Sequence, residues 1–225
     1  MLLPMSYMDA LRITLSLFDE VGKDVRTFEE GGVKTFHDLV TEVQHHEAIL
    51  TVATKKDYVA AGIISEDEDV PKDRKCLKRI AWSGKLIIRT SEEYLVELFR
   101  IYPGRFEKVH KRSLFAGVML EYPNWTLSET AKKGEDPLVV ITRGIKEELG
   151  LSVFNAPLTC INPGESWIDT HESSVYHDII TENHTTWFEW RMTGRHGPDT
   201  VIRRDDQVEL HLKWQPYNFT LASNG

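Results

Sequence analysis

Between Asp136 and Gly150 the chain specifies a helix with a start, a buried stripe and a stop. Asp136 can cap it, Pro137 suits its first position, and Gly150 suits a left-handed exit. Leu138, Ile141, Ile145 and Leu149 recur at spacings of three, four and four, which predicts one apolar stripe. An extended run over 138–142 competes, because Val139, Val140, Ile141 and Thr142 are poor helix formers and Gly144 costs about 1 kcal/mol relative to Ala. Cap and stripe together favour the helix. On it, Gly144, Glu147 and Glu148 are expected on a face other than the stripe, within one turn of each other. Two adjacent carboxylates with Arg143 one turn earlier suit a hard divalent cation held against a phosphate chain.

These residues resemble the Nudix box. That motif runs Gly, five residues, Glu, seven residues, then Arg-Glu-U-x-Glu-Glu-x-Gly-U, with U a bulky aliphatic. Here Glu135, Arg143, Ile145, Glu147, Glu148, Gly150 and Leu151 fall in place. Two positions depart: Glu129 stands for the opening Gly, and Gly144 for the Glu after the Arg.

The resemblance implies an α/β protein, a Nudix-like α/β/α sandwich with a mixed sheet, carrying a small N-terminal helical appendage. It implies Mg2+- or Mn2+-dependent cleavage of a pyrophosphate bond in a small-molecule nucleoside diphosphate derivative. Glu147 and Glu148 would be the metal ligands, with Glu135 assisting, and Arg143 would orient carboxylates by charge-assisted hydrogen bonds. Glu148 and Arg143 are thereby the expected catalytic residues. Gly144 leaves vacant a place where many family members carry a general base or a further metal ligand. Glu172 is the expected substitute, from a polar segment that also offers Asp169 and His171, with Asp178 and Glu182 as weaker candidates. Losing general acid–base catalysis costs about 10²–10⁴-fold, so the gap separates an active hydrolase from a weak or dead one. The alternatives are a Nudix-fold binding module without turnover and an accessory subunit docked through its N-terminal helices.

Composition narrows the partners. With 225 residues the chain can bury a good core as one large domain or as a domain with an appendage. A formal net charge of −8 argues against general nucleic-acid coating. A basic cluster stands out in this acidic chain: Arg100, Arg105, Lys108, Lys111 and Arg112. Arg100 and Arg112 are candidate phosphate grips, although a charged hairpin edge that resists aggregation is the favoured reading of the cluster. Two cysteines make no disulfide framework and read as buried thiols of a reducing, cytoplasmic-type compartment. No run approaches the roughly 20 apolar residues of a membrane span, and the start lacks the basic region of a signal peptide. Oligomeric state leaves no mark in the sequence.

The remaining elements follow from period and punctuation. Helices are predicted over 6–21, opened by Ser6 with Asp9, and over 36–48, opened by Thr35 with Asp38. His45-His46-Glu47 would then sit on a solvated helix end. Strands are predicted over 49–53, 58–64, 85–90, 94–102, 105–112, 157–161, 185–192 and 207–214, with Leu114 to Leu120 leading toward the box helix. The last alternates Val208, Leu210, Leu212 and Trp214 with polar residues. The acidic run Glu66–Asp69, followed by Pro71, marks an expected boundary between an appendage (1–70) and the main domain (71–225).

Overall fold

The computed structural model describes residues 5–28, 34–70, 75–101, 108–110, 126–150, 157–164, 166–194, 200–204 and 207–216. It is an α/β structure of five helices and ten strands among those residues. The chain divides into two compact units. The first takes residues 1–83, 130–136 and 166–185; the second takes 84–129, 137–165 and 186–225.

In the first unit, helix α1 (Tyr7–Glu20) begins at Ser6, whose hydroxyl accepts from Asp9 N at 3.1 Å. Helix α2 (Val25–Phe28) is a single turn, and α3 (Phe36–Gln44) opens on a reciprocal cap between Thr35 and Asp38. Both longer helices bear out the capping signals. Helix α3 stops at Gln44 rather than 48, because His46 adopts φ +60 and Glu47 N returns to Glu42 O. The histidine pair therefore lies beyond the helix. Strand β1 (Ala48–Val52) runs antiparallel to the first half of β2 (Leu77–Arg89), with Leu50 opposite Arg79.

Residues 58–64, expected as a strand, are not one. Helix α4 (Lys55–Ala60) occupies this stretch, because the Asp57 carboxylate accepts from Thr54 N at 2.8 Å and from its hydroxyl at 2.7 Å. Gly62, at φ +69, then turns the chain out, and Ile63 N donates to Tyr58 O. A further strand appears where a polar segment was read: β7 (Trp167–Glu172) pairs with the start of β8 (Ile179–Arg191), placing Asp169 opposite Asn183. The core of this unit joins Phe18, Phe28, Phe36, Leu39, Val40, Leu77, Tyr176 and Ile179. Tyr176 is an anchor of that core, with its hydroxyl donating to the buried Glu42 at 2.9 Å.

In the second unit, the end of β2 pairs with β3 (Glu93–Ile101), and β3 with β10 (Glu209–Pro216) and β4 (Lys108–His110). Strand β9 (Thr200–Arg203) flanks β10, and β6 (Leu158–Cys160) flanks the end of β8. Every one of these ladders is antiparallel. The alternation of β10 holds: Val208, Leu210, Leu212 and Trp214 are buried, and the residues between them are not. The expected segments 105–107, 111–112 and 114–120 lie outside the described residues.

Helix α5 (Pro137–Leu149) is the helix that the sequence specified, with Gly150 at φ +62 behind it. The rival strand over 138–142 does not form. Its buried face is rotated from the expected stripe: Val140 is fully buried and Leu138 is 48% exposed. Residues 140, 141, 144, 145, 148 and 149 face inward, so Gly144 and Glu148 share the apolar side instead of the opposite one. Ile141, Ile145 and Leu149 pack with Leu86, Ile88, Leu127, Phe188 and Trp214. Gly84 on β2 lets the helix lie close, since a Cβ there would already touch Val140 Cγ1 at 3.4 Å.

Candidate functional site

The end of strand β5 (Leu127–Ala131) that belongs to the second unit passes beneath α5. Leu127 is fully buried in the core, and Glu129, two residues on, shares its side of the strand. At Gly144 the helix presents no side chain to this strand. A Cβ placed there would lie 3.0 Å from Glu129 Cβ, 3.1 Å from Leu127 Cδ2 and 3.3 Å from Glu129 Cγ. Real side chains do not tolerate such contacts without movement of a neighbour. The Glu129 stem thus fills the volume that a side chain at 144 would need.

Charge is distributed around this contact. Arg143 Nε donates to Glu129 Oε1 at 3.2 Å. Burial raises the Glu129 carboxyl above its ordinary value and Arg143 opposes the rise, while the negative charges of Glu147 and Glu148 add to it. Glu147 is exposed at the helix surface, whereas Glu148 is buried. Glu148 Oε1 accepts a hydrogen bond from Arg204 Nη1. Arg204 follows β9 and is held by its own backbone, whose N–H donates to Val208 O at 2.9 Å. The second unit therefore brings three carboxylates into one electrostatic neighbourhood and interleaves two arginines with them.

The other expected residues are placed as follows. Glu135 lies in the first unit, where its carboxylate accepts from Lys132 N at 3.0 Å in a turn closed by Gly134 at φ +75. Glu172 is an exposed residue at the end of β7, also in the first unit. Asp169 Oδ2 sits 3.0 Å from His171 Nδ1 on the same strand. Asp178 and Glu182 are bound up in ion pairs, with Lys23 and with Lys78, each at 2.6 Å. Arg100 occupies β3 opposite Val109 and Leu210, and Arg112 lies outside the described residues.

Sequence reasoning missed two members of this neighbourhood. Glu129 was visible only as a departure from the motif, and nothing near Arg204 in the chain marks it as a partner of Glu148.

Oxygen donors from Glu129, Glu147 and Glu148 are the type that Mg2+ and Mn2+ take, and the cradle under Gly144 is filled by one of them. As they stand, Glu129 and Glu148 are turned to Arg143 and Arg204 and Glu147 is exposed, and among the described residues no three His, Cys, Asp or Glu side chains form a group that could hold a metal ion. Among the described residues no helix is long and apolar enough to cross a membrane. Cys76 and Cys160 form no disulfide, the first buried and the second half-buried.

No family model matches the chain, and no curated protein matches it in sequence. Two solved structures are similar in backbone path. One is DR0079 from Deinococcus radiodurans, 11% identical over 67% of this chain and 73% of that one, at a TM-score of 0.34. The other is a C. elegans Ap4A hydrolase, 15% identical over 61% of this chain and 80% of that one, at a TM-score of 0.32. Likenesses at this level establish neither fold nor activity.

Proposed function

We propose that the second unit is a divergent Nudix-type hydrolase site acting on a pyrophosphate bond of a nucleoside diphosphate derivative, with Mg2+ or Mn2+. The observation that supports this most is the helix itself. Arg143, Ile145, Glu147 and Glu148 of the box lie on one helix that Gly150 ends, with Arg143 one turn before the glutamate pair and Glu148 drawn to its buried side. In this reading Glu147 and Glu148 hold the cation. The bound cation would polarise phosphoryl oxygens and lower the pKa of a bound water.

The chain's own groups then have separable tasks. Arg143 holds the Glu129 carboxylate by a charge-assisted hydrogen bond and keeps it from rotating into solvent. Arg204 fixes Glu148 and brings a positive charge that an incoming phosphate chain would meet. The apolar floor of Leu127, Ile145 and Leu149 keeps water from one side of these carboxylates.

A second reading is favoured by the same two ion pairs. Arg143 and Arg204 already neutralise Glu129 and Glu148, as a binding module without turnover would require. Phosphate release from ADP-ribose, UDP-glucose and NADH, coupled to a phosphatase and assayed with and without Mn2+, separates the two. Metal-dependent release abolished in Glu148→Gln supports the hydrolase. Absence of release across the panel, with nucleotide still bound, supports the binding module.

A further inference from the structure

We propose that the outer edge of strand β7 pairs with β7 of a second copy of this chain, antiparallel and centred on Thr170. Along Trp167–Glu172 the strand is paired with β8, and among the described residues no other strand pairs with it. Strand edges are usually blunted by Lys, Pro, a bulge or extreme shortness. Trp167-Ile-Asp-Thr-His-Glu172 has no Lys and no Pro, and its register with β8 runs unbroken over six residues. It also leaves apolar area in water on both of its faces, with Trp167 43% and Ile168 57% exposed.

Symmetry and charge together fix the register. The two-fold axis of such a ladder runs perpendicular to the sheet, so each face of one strand continues into the same face of the other. Residues brought opposite one another must then share a face, and the centre falls on a residue rather than between two. Centring on Asp169 sets that carboxylate against itself, and centring on His171 sets two imidazoles together. Like groups directly opposite are destabilising. Centring on Thr170 instead puts Asp169 of each copy opposite His171 of the other.

That register extends a contact the chain already makes. Asp169 Oδ2 lies 3.0 Å from His171 Nδ1 on its own strand. Two such pairs brought together about Thr170 form a ring in which carboxylate and imidazole alternate. On the opposite face Thr170 meets its own counterpart, a favourable cross-strand pair, and Ile168 comes to lie against the stem of Glu172 from the second copy. Six residues a side is small beside the roughly 1,200–2,000 Å² of a standard interface, so the dimer is weak and forms on the order of tens of micromolar.

Sedimentation velocity of the full chain over a concentration series tests this, with far-UV circular dichroism reporting the folding of each variant. The wild type should be monomeric when dilute and dimeric when concentrated. His171→Asp sets a second carboxylate against Asp169 and should weaken the dimer at least about tenfold, and the swap D169H/H171D should restore it. Neither of the other two registers gives that restoration. A cysteine pair reads the register without altering charge, should the charge variants fail to fold. In a Cys160→Ser background treated with diamide, Thr170→Cys should give a disulfide-linked dimer, because opposed Cα atoms about 4.5–5.5 Å apart suit the bond, and Ile168→Cys should not. A chain monomeric at every concentration, a dimer indifferent to His171→Asp, or a swap no better than that variant overturns the proposal. So does cross-linking of Ile168→Cys as readily as Thr170→Cys.

Discussion

Glu129 Cβ lies 3.0 Å from the point where a side chain on Gly144 would begin. Strand and helix are packed to the limit there, so a single methyl group is felt. Replacing Gly144 with Ala gains about 1 kcal/mol of helix propensity but costs about 1–3 kcal/mol of overpacking. We expect a net loss of about 1 kcal/mol in wild type. In a Glu129→Gly background the two Glu129 carbons are gone and the flexible Leu127 methyl at 3.1 Å can give, so the same change should become neutral or stabilising. Urea denaturation of the four proteins reads the reversal of sign directly.

Arg204 is the cation against the buried Glu148. Arg204→Gln removes a hydrogen bond between charged groups, and we expect a loss of about 2 kcal/mol in metal-free buffer. With Mn2+ present the order should change, because the cation no longer competes with a guanidinium for Glu148. Thermal melts with and without Mn2+ should show a larger metal-induced rise in Arg204→Gln than in wild type. An equal rise would place Arg204 outside the cation's reach.

In the first unit, Lys78 Nζ lies 2.6 Å from both Asp57 and Glu182, in a largely buried position. Lys78→Met would leave two carboxylates facing each other without their cation, at a cost of about 3–5 kcal/mol near neutral pH. The cost should shrink below about pH 4, where acids that have lost Lys78 take up protons readily. Stability curves at pH 7 and pH 4 compare the two conditions.

Glu42 sets the acid sensitivity of the same unit. Burial pushes its carboxyl up, but Arg79 and Lys34 outweigh this with charge and hydrogen bonds, so it is held below its ordinary 4.5. A depressed folded-state value means the unfolded chain binds the proton first. The stabilisation is therefore complete above about pH 4.5 and fades as pH falls through the folded value. Glu42→Gln should flatten this acid limb. At pH 7 it should also destabilise by about 3 kcal/mol, since Lys34 and Arg79 lose their buried partner. An acid limb unchanged in Glu42→Gln would assign the pH response to other carboxylates.

Much of the helix framework was legible because its signals are local. Ser6 with Asp9, Thr35 with Asp38, and Pro137 with Gly150 each act within a few residues of chain. Thr54 with Asp57 is the same kind of signal. The strand expected over 58–64 rests on apolar residues alone, and the Thr54–Asp57 cap places α4 there instead. The face of α5 was misjudged for a different reason. Leu138 looks the better core residue, but the close approach of Gly84 selects Val140. Glu129 and Arg204 lay beyond reach altogether. Each meets its partner only through the packing of separate elements, and no spacing along the chain encodes that meeting.

The central claim is that the carboxylates of α5 bind a divalent cation, and thermal stability in a Mn2+ titration tests it most directly. At a hundred times its dissociation constant, a bound ion adds about 2.7 kcal/mol, or roughly 5–10 °C for a chain of this size. The account predicts a rise of that order in wild type, absent in Glu148→Gln. A melting temperature indifferent to Mn2+, or an equal rise in both proteins, would contradict it.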